Sequence, residues 1–167
     1  MNTAVHPAQE AVEITCADGV RLHGHFVRAH GQAPKGLPVL LCPATGVKQH
    51  YYLKFVSWLA GQGHDILVFD YRGIGLSLKG PLKHCRATLA EWGQQDQVAA
   101  LDWLLSRTGA EQVLLLGHSA GGQMIGLLPN HHRVARLVGV SASTGWLRGM
   151  RPGFRMKAWF GLRGVIP

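Results

Sequence analysis

Four short, almost unbroken apolar runs constrain this chain most. They lie at 37–42 (Leu-Pro-Val-Leu-Leu-Cys), 65–70 (Asp-Ile-Leu-Val-Phe-Asp), 112–116 and 136–140. Runs this short cannot form core helices, and their lack of alternation reads as strands buried on both faces. Between them lie segments with helical spacing. Residues 51–61 carry Tyr52, Phe55, Val56 and Leu59, and residues 88–107 carry Leu89, Trp92, Ala99, Trp103 and Leu104. Residues 120–128 read as a third helix, ended by Pro129 and Asn130. Strands alternating with helices predict an α/β fold with a mostly parallel sheet and helices on both faces. Upstream, 11–17 and 21–29 read as a hairpin joined at Asp18 and Gly19.

One junction carries chemistry. Gly117, His118, Ser119, Ala120, Gly121 and Gly122 follow a buried strand and open a helix. A serine on such a strand-to-helix turn sits in a strained backbone that lifts its hydroxyl out of the sheet, and glycines two before and two after it relieve the crowding. The helix start behind it favours developing negative charge. The loop Pro43, Ala44, Thr45, Gly46 follows another strand, at the carboxyl end of the sheet where sites form in doubly wound folds. A backbone N–H there, that of Thr45, is a candidate to join the Ala120 N–H around an oxyanion. The local residues fit a plain turn equally well, since Pro and Gly make turns anyway.

Three features together resemble the N-terminal two-thirds of an α/β-hydrolase-fold serine hydrolase. They are the Gly117–Gly121 elbow, the run Asp70, Tyr71, Arg72, Gly73, Ile74, Gly75, Leu76, Ser77, and the segment from Asp96 through Ala99, Ala100, Leu101, Asp102, Trp103 and Leu104. The Pro-Ala-Thr-Gly loop at 43–46 is similar to that of a bacterial subgroup of predicted hydrolases. The resemblance spans about residues 11–145. It implies Ser119 as nucleophile, Thr45 and Ala120 as oxyanion donors, and strand order 1-2-4-3-5-6. It implies no cofactor and no metal. Asp70 and Arg72 match a common pattern of the family and read as structural.

The pattern then breaks. A serine hydroxyl needs a histidine base, and that histidine needs a carboxylate. In this fold they follow the serine in the chain. After Ser119 there is no Asp or Glu, and the only later histidines are His131 and His132. A helix of about ten residues at ~1.5 Å per residue would carry them to the opposite end of the sheet. His118 is expected to point away from the serine and to pack. His84 reads as a solvated loop residue, and Asp70 and Asp96 as anchors. His23 and His25 share a strand face but lack a third metal ligand. The expectation is a partial fold lacking its last strands and final helix, with residues 1–144 as the core and 145–167 as the start of a truncated cap. The 167 residues alone are expected to be inactive.

Charge supports this division. Of the +8 net charge, about +1 lies up to Ser119 and +7 after it. Arg148, Arg151, Arg155, Lys157 and Arg163 interleave with Trp146, Phe154, Trp159 and Phe160. A cap is favoured over a membrane-surface helix, because Gly149, Pro152, Gly153 and Gly161 interrupt any continuous amphipathic face. No nucleic-acid-binding module accompanies the charge. The odd, scattered Cys16, Cys42 and Cys85 speak for a reducing compartment, no signal peptide or spanning segment opens the chain, and a cytoplasmic location is expected. The expected function is hydrolysis of a small or acyl ester, thioester or amide, with a small-molecule acyl substrate as the partner. Two alternatives stand beside it: an inactive ligand-binding or scaffold domain of the same fold, and a peripheral membrane protein using the basic aromatic tail.

Overall fold

The computed structural model describes residues 9–31, 34–143, 151–153 and 156. Six strands form one sheet: β1 (Gln9–Thr15), β2 (Arg21–Val27), β3 (Val39–Cys42), β4 (Ile66–Phe69), β5 (Val113–His118) and β6 (Val134–Val140). Their spatial order is β1-β2-β4-β3-β5-β6, as the resemblance implies. β1 pairs antiparallel with β2, and β2 antiparallel with β4. The β4–β3, β3–β5 and β5–β6 ladders are parallel.

The unbroken apolar runs are explained by cover on two sides. Side chains of a strand alternate between faces. Leu40, Leu67, Phe69 and Leu115 pack on one face against Ala100, Leu101 and Leu104. Val39, Leu41, Ile66 and Val68 pack on the other against Tyr52, Val56 and Ala60. Helix α1 (Leu53–Gly61), entered through a 3₁₀ turn at Gln49–Tyr52, supplies that second cover. The first comes from a continuous helical run over 89–108, built of α2 (Leu89–Glu91), a π turn (Trp92–Asp96) and α3 (Gln97–Thr108). Thr88 opens it with a capping box: its Oγ1 accepts from the Glu91 N–H, and its own N–H donates to Glu91 Oε2. Gly109, at φ 71°, closes it in the left-handed conformation.

Three expectations need correction. The spacing over 88–107 predicts one regular α-helix, whereas the structure inserts the π turn. That turn brings Trp92, Gly93, Asp96 and Gln97 all into the interior. The expected helix over 120–128 is only α4 (Ala120–Gln123), followed by a 3₁₀ turn at Met124–Leu127. Gly121, Gly122 and Gly126 lower its helix propensity, by about 1 kcal/mol each relative to alanine. The run 136–140 is a strand, as expected, but not a buried one. Leu137, Val138 and Val140 are 44%, 52% and 45% exposed, because β6 pairs only with β5 among the described residues. The expected cap at 145–167 lies outside the described residues apart from 151–153 and 156.

Candidate active site

The site begins where β3 and β5 end side by side. Cys42 stands opposite Gly117 in the parallel ladder, so the chains leaving these two strands emerge as neighbours at one end of the sheet. The 43–47 loop follows the first strand and the 118–122 turn the second.

Ser119 has φ 50° and ψ −117°, a conformation that L residues rarely adopt. Such strain costs on the order of 1–3 kcal/mol and persists only where the surroundings over-determine it. Here they do so from both sides. The Ser119 N–H donates to Val140 O at 2.9 Å and so continues the β5–β6 ladder. The Ser119 carbonyl accepts from the Gly122 and Gln123 N–H groups at 3.1 and 3.2 Å and so closes the first turn of α4. As the first residue of α4, Ala120 keeps an N–H with no carbonyl partner inside the helix.

The glycines of this turn are required by close approach. A Cβ on Gly117 would run into the Gly122 backbone, and one on Gly121 would run into Cys42 O and stand 2.7 Å from Pro43 O. The lack of a side chain at 121 therefore lets α4 press on the start of the 43–47 loop. That loop is itself pinned. Val47 N–H donates to Ala44 O at 3.1 Å across a turn with Gly46 at φ 73°. The Ala44 N–H donates to Tyr52 Oη at 3.0 Å. The Ala44 amide is thus occupied, and Thr45, exposed at the centre of the turn, carries the next one.

Beneath the elbow lies a buried polar network. Gln97 Nε2 donates to Tyr71 Oη and to Gly121 O, both at 2.9 Å. Burial raises the Tyr71 phenol well above its usual value, and raises the fully buried Cys42 thiol to about 12, so both keep their protons. Asp70 Oδ1 accepts the Gln49 N–H at 2.7 Å, and Oδ2 accepts Gln49 Nε2 and the Leu76 N–H at 3.0 and 2.9 Å. Asp96 accepts the Arg72 N–H at 2.9 Å and Arg72 Nε at 2.7 Å. Arg72 Nη1 also reaches Asp18 at 2.6 Å, and these partners hold its guanidinium charged. Burial raises the Asp96 carboxyl, opposed by the Arg72 bonds. Asp70 and Asp96 are therefore anchors for loops and helix, as the sequence reading expected.

No described histidine is hydrogen-bonded to Ser119. His25 pairs with Gln49, His64 with Leu37 O, and His131 with Leu128 O. The register places Val113 beside Val134 and His118 beside Val140. His131 and His132, which precede Val134, thus lie at the far end of the sheet from Ser119, ~20 Å away along the strands. His118 turns from the serine to Tyr52, with its Nδ1 2.8 Å from Tyr52 Oη. The structure sets the start of the 43–47 loop, which carries Thr45, beside the turn that carries Gly117, His118, Ser119, Ala120 and Gly121. Among the described residues no group of three or more His, Cys, Asp and Glu is placed to hold a metal ion, and no helix is long and apolar enough to cross a membrane.

Sequence reasoning missed Tyr52, Gln49 and Gln97. Tyr52 sat at helical spacing among apolar residues and counted only as core. A glutamine on an amphipathic helix gives no signal that it is buried.

A family model of the alpha/beta hydrolase fold matches residues 38–163. The chain belongs to the alpha/beta hydrolase fold family. Among curated relatives of this hydrolase-fold chain, the uncharacterized protein YfhR of Salmonella typhi is 30% identical over 126 residues, which cover 71% of this chain and 40% of YfhR. YfhR of Escherichia coli strain K12 is 31% identical over 122 residues, with 70% and 40% covered. The chain therefore spans about two-fifths of the length of these relatives. Two solved structures share the fold. DcsB, in complex with its substrate analogue, superposes with a TM-score of 0.69 at 21% identity, covering 93% of this chain and 51% of DcsB. The esterase Pf2001 of Pyrococcus furiosus gives 0.66 at 18% identity, covering 92% of this chain and 63% of the esterase.

Proposed function

We propose that the protein is a serine hydrolase acting on a small or acyl-chain ester, thioester or amide. Ser119 Oγ attacks the substrate carbonyl carbon and gives up its proton to a base, and the Thr45 and Ala120 N–H groups hold the oxyanion that forms. The alcohol, thiol or amine then leaves, and water cleaves the acyl-serine. The observation that carries this reading is the strained Ser119 backbone, locked between the β5–β6 ladder and the first turn of α4, whose Gly121 presses on the start of the 43–47 loop. The esterase among the structural relatives is in keeping with it. The base and its carboxylate are assigned to parts of the whole protein other than residues 9–143, because His131 and His132 stand at the wrong end of the sheet. The free thiols of Cys16, Cys42 and Cys85 fit a reducing compartment such as the cytoplasm.

Ser119→Ala tests the reading. In the whole protein it should lower hydrolysis of short p-nitrophenyl esters by about a thousandfold or more. Hydrolysis that survives the change would refute it. One observation favours a second reading, an acyl-ligand-binding domain without turnover: no described imidazole reaches Ser119. Saturable binding of an acyl ester with no product formed would select that alternative.

A further inference from the structure

Tyr52 is the link between the two halves of the site. It is 7% exposed, and its ring edge rests on the His118 ring, with centroids 5.9 Å apart and planes at 79°. Its hydroxyl oxygen accepts the Ala44 N–H at 3.0 Å and lies 2.8 Å from His118 Nδ1. No other hydrogen bond to this hydroxyl occurs among the described residues. A phenol that accepts an amide N–H still has its own proton to place, and His118 Nδ1 is the acceptor within reach. Burial raises the Tyr52 phenol, with the Ala44 N–H opposing, so the proton stays on oxygen at neutral pH. A one-way chain, from Ala44 N–H to Tyr52 Oη and from Tyr52 O–H to His118 Nδ1, gives every one of these groups a partner. An imidazole that accepts at Nδ1 carries its proton on Nε2.

We propose that Tyr52 is a positioning residue whose hydroxyl ties the 44–47 turn to the elbow and, by donating to His118 Nδ1, sets the ring proton on Nε2. The inference rests on the reading of Ser119 and Thr45 given above, and it adds two things. The first is which amides the turn offers. Tyr52 consumes the Ala44 N–H and the Val47 N–H closes on Ala44 O, so the turn is fixed at both ends and leaves the Thr45 and Gly46 amides, of which the reading above uses that of Thr45. The second concerns the base. His118 neighbours Ser119 in sequence, yet its Nδ1 lone pair is taken by Tyr52 and its Nε2 already bears a proton, so it cannot accept the Ser119 proton.

The test uses the whole protein labelled with ¹⁵N-histidine, and compares wild type with Tyr52→Phe, which removes one oxygen and keeps the ring. In wild type the His118 ring should show an unprotonated Nδ1 and a protonated Nε2. In Tyr52→Phe that signature should give way to mixed tautomers, and reaction of Ser119 with an alkyl fluorophosphonate should slow by about tenfold. His118→Ala should slow it to a similar degree, while His118→Gln, which restores an acceptor for the phenol, should recover part of the rate. A proton on Nδ1 in wild type would overturn the proposal, as would a ring signature and phosphonate rate that Tyr52→Phe leaves unchanged. Should Tyr52→Phe fail to fold, the wild-type tautomer and the two His118 variants decide. A Ser119 that never takes the phosphonate, beside a tautomer signature that depends on Tyr52, would support the tie and count against the nucleophile reading instead.

Discussion

β4 and β6 are both apolar strands, yet they live in opposite surroundings. Every residue of β4 is buried, with Ile66, Leu67, Val68 and Phe69 all at 0% exposure. In β6, Leu137, Val138 and Val140 remain about half exposed. Composition does not separate them; position does. β4 lies between β2 and β3, with α1 on one face and the 89–108 helix on the other. β6 is the outer strand and has a partner on one side only among the described residues. β5 stands between the two cases. Val113 and Leu115 are buried under α3, while Leu114 and Leu116 are half-buried on the face that α1 covers less fully. The Ser119 turn sits at this boundary, tied on one side to the packed centre through Cys42 and Gln97 and on the other to β6 through Val140 O. An apolar run thus reports that a strand can be covered, whereas its neighbours decide whether it is.

The sharpest contrast is expected at the polar anchor of the covered side. Asp96→Ala leaves the Arg72 guanidinium without its one fully buried carboxylate partner and should cost about 3–5 kcal/mol in denaturant unfolding. A loss below ~1 kcal/mol would mean that Asp18 and Glu91 suffice to hold Arg72. Next, Leu67→Ala in β4 should cost about 2–5 kcal/mol, and Val138→Ala in β6 under ~1 kcal/mol. Equal losses would erase the distinction between the strands. Smaller again, in the 167-residue chain Val138→Lys should leave stability within about 0.5 kcal/mol while lowering the tendency to aggregate, as charge does on a strand paired on one side, which β6 is among the described residues; light scattering on concentrated samples reads this out.

The smallest effect concerns acid. Arg72 holds the Asp18 carboxyl below its ordinary 3.8, and the Thr88 side chain and N–H hold Glu91 below its ordinary 4.5. Both groups are stronger acids when folded. They add stability that is complete above those ordinary values and lost as pH falls through the lowered ones. More than a third of each side chain is exposed, which screens the gain. Asp18→Asn should therefore lie slightly below wild type in Tm at neutral pH, with the gap closing under acid. A gap that widens on acidification would contradict the assignment.

Much of this was legible in residues alone. The runs at 37–42, 65–70 and 112–116 are legible as strands because they are too short for core helices, and Ser119 stands out because the spacing of Gly117 and Gly121 fits one tight turn. The exposure of β6 was illegible, since it depends on what lies next to the strand. The π turn was illegible because Trp92, Gly93, Asp96 and Gln97 satisfy an ordinary helical spacing too. Tyr52 was hidden for a different reason: an aromatic on an apolar face reads as packing, and its hydroxyl acquires partners only when β3 and β5 end together.

The central proposal is Ser119 as a nucleophile facing two backbone amides. A crystal structure of the whole protein reacted with an alkyl fluorophosphonate tests it directly. The expected result is phosphorus bonded to Ser119 Oγ, with the phosphonyl oxygen about 2.7–3.1 Å from the Thr45 and Ala120 nitrogens. An adduct on another residue, or a phosphonyl oxygen turned away from both amides, would contradict it.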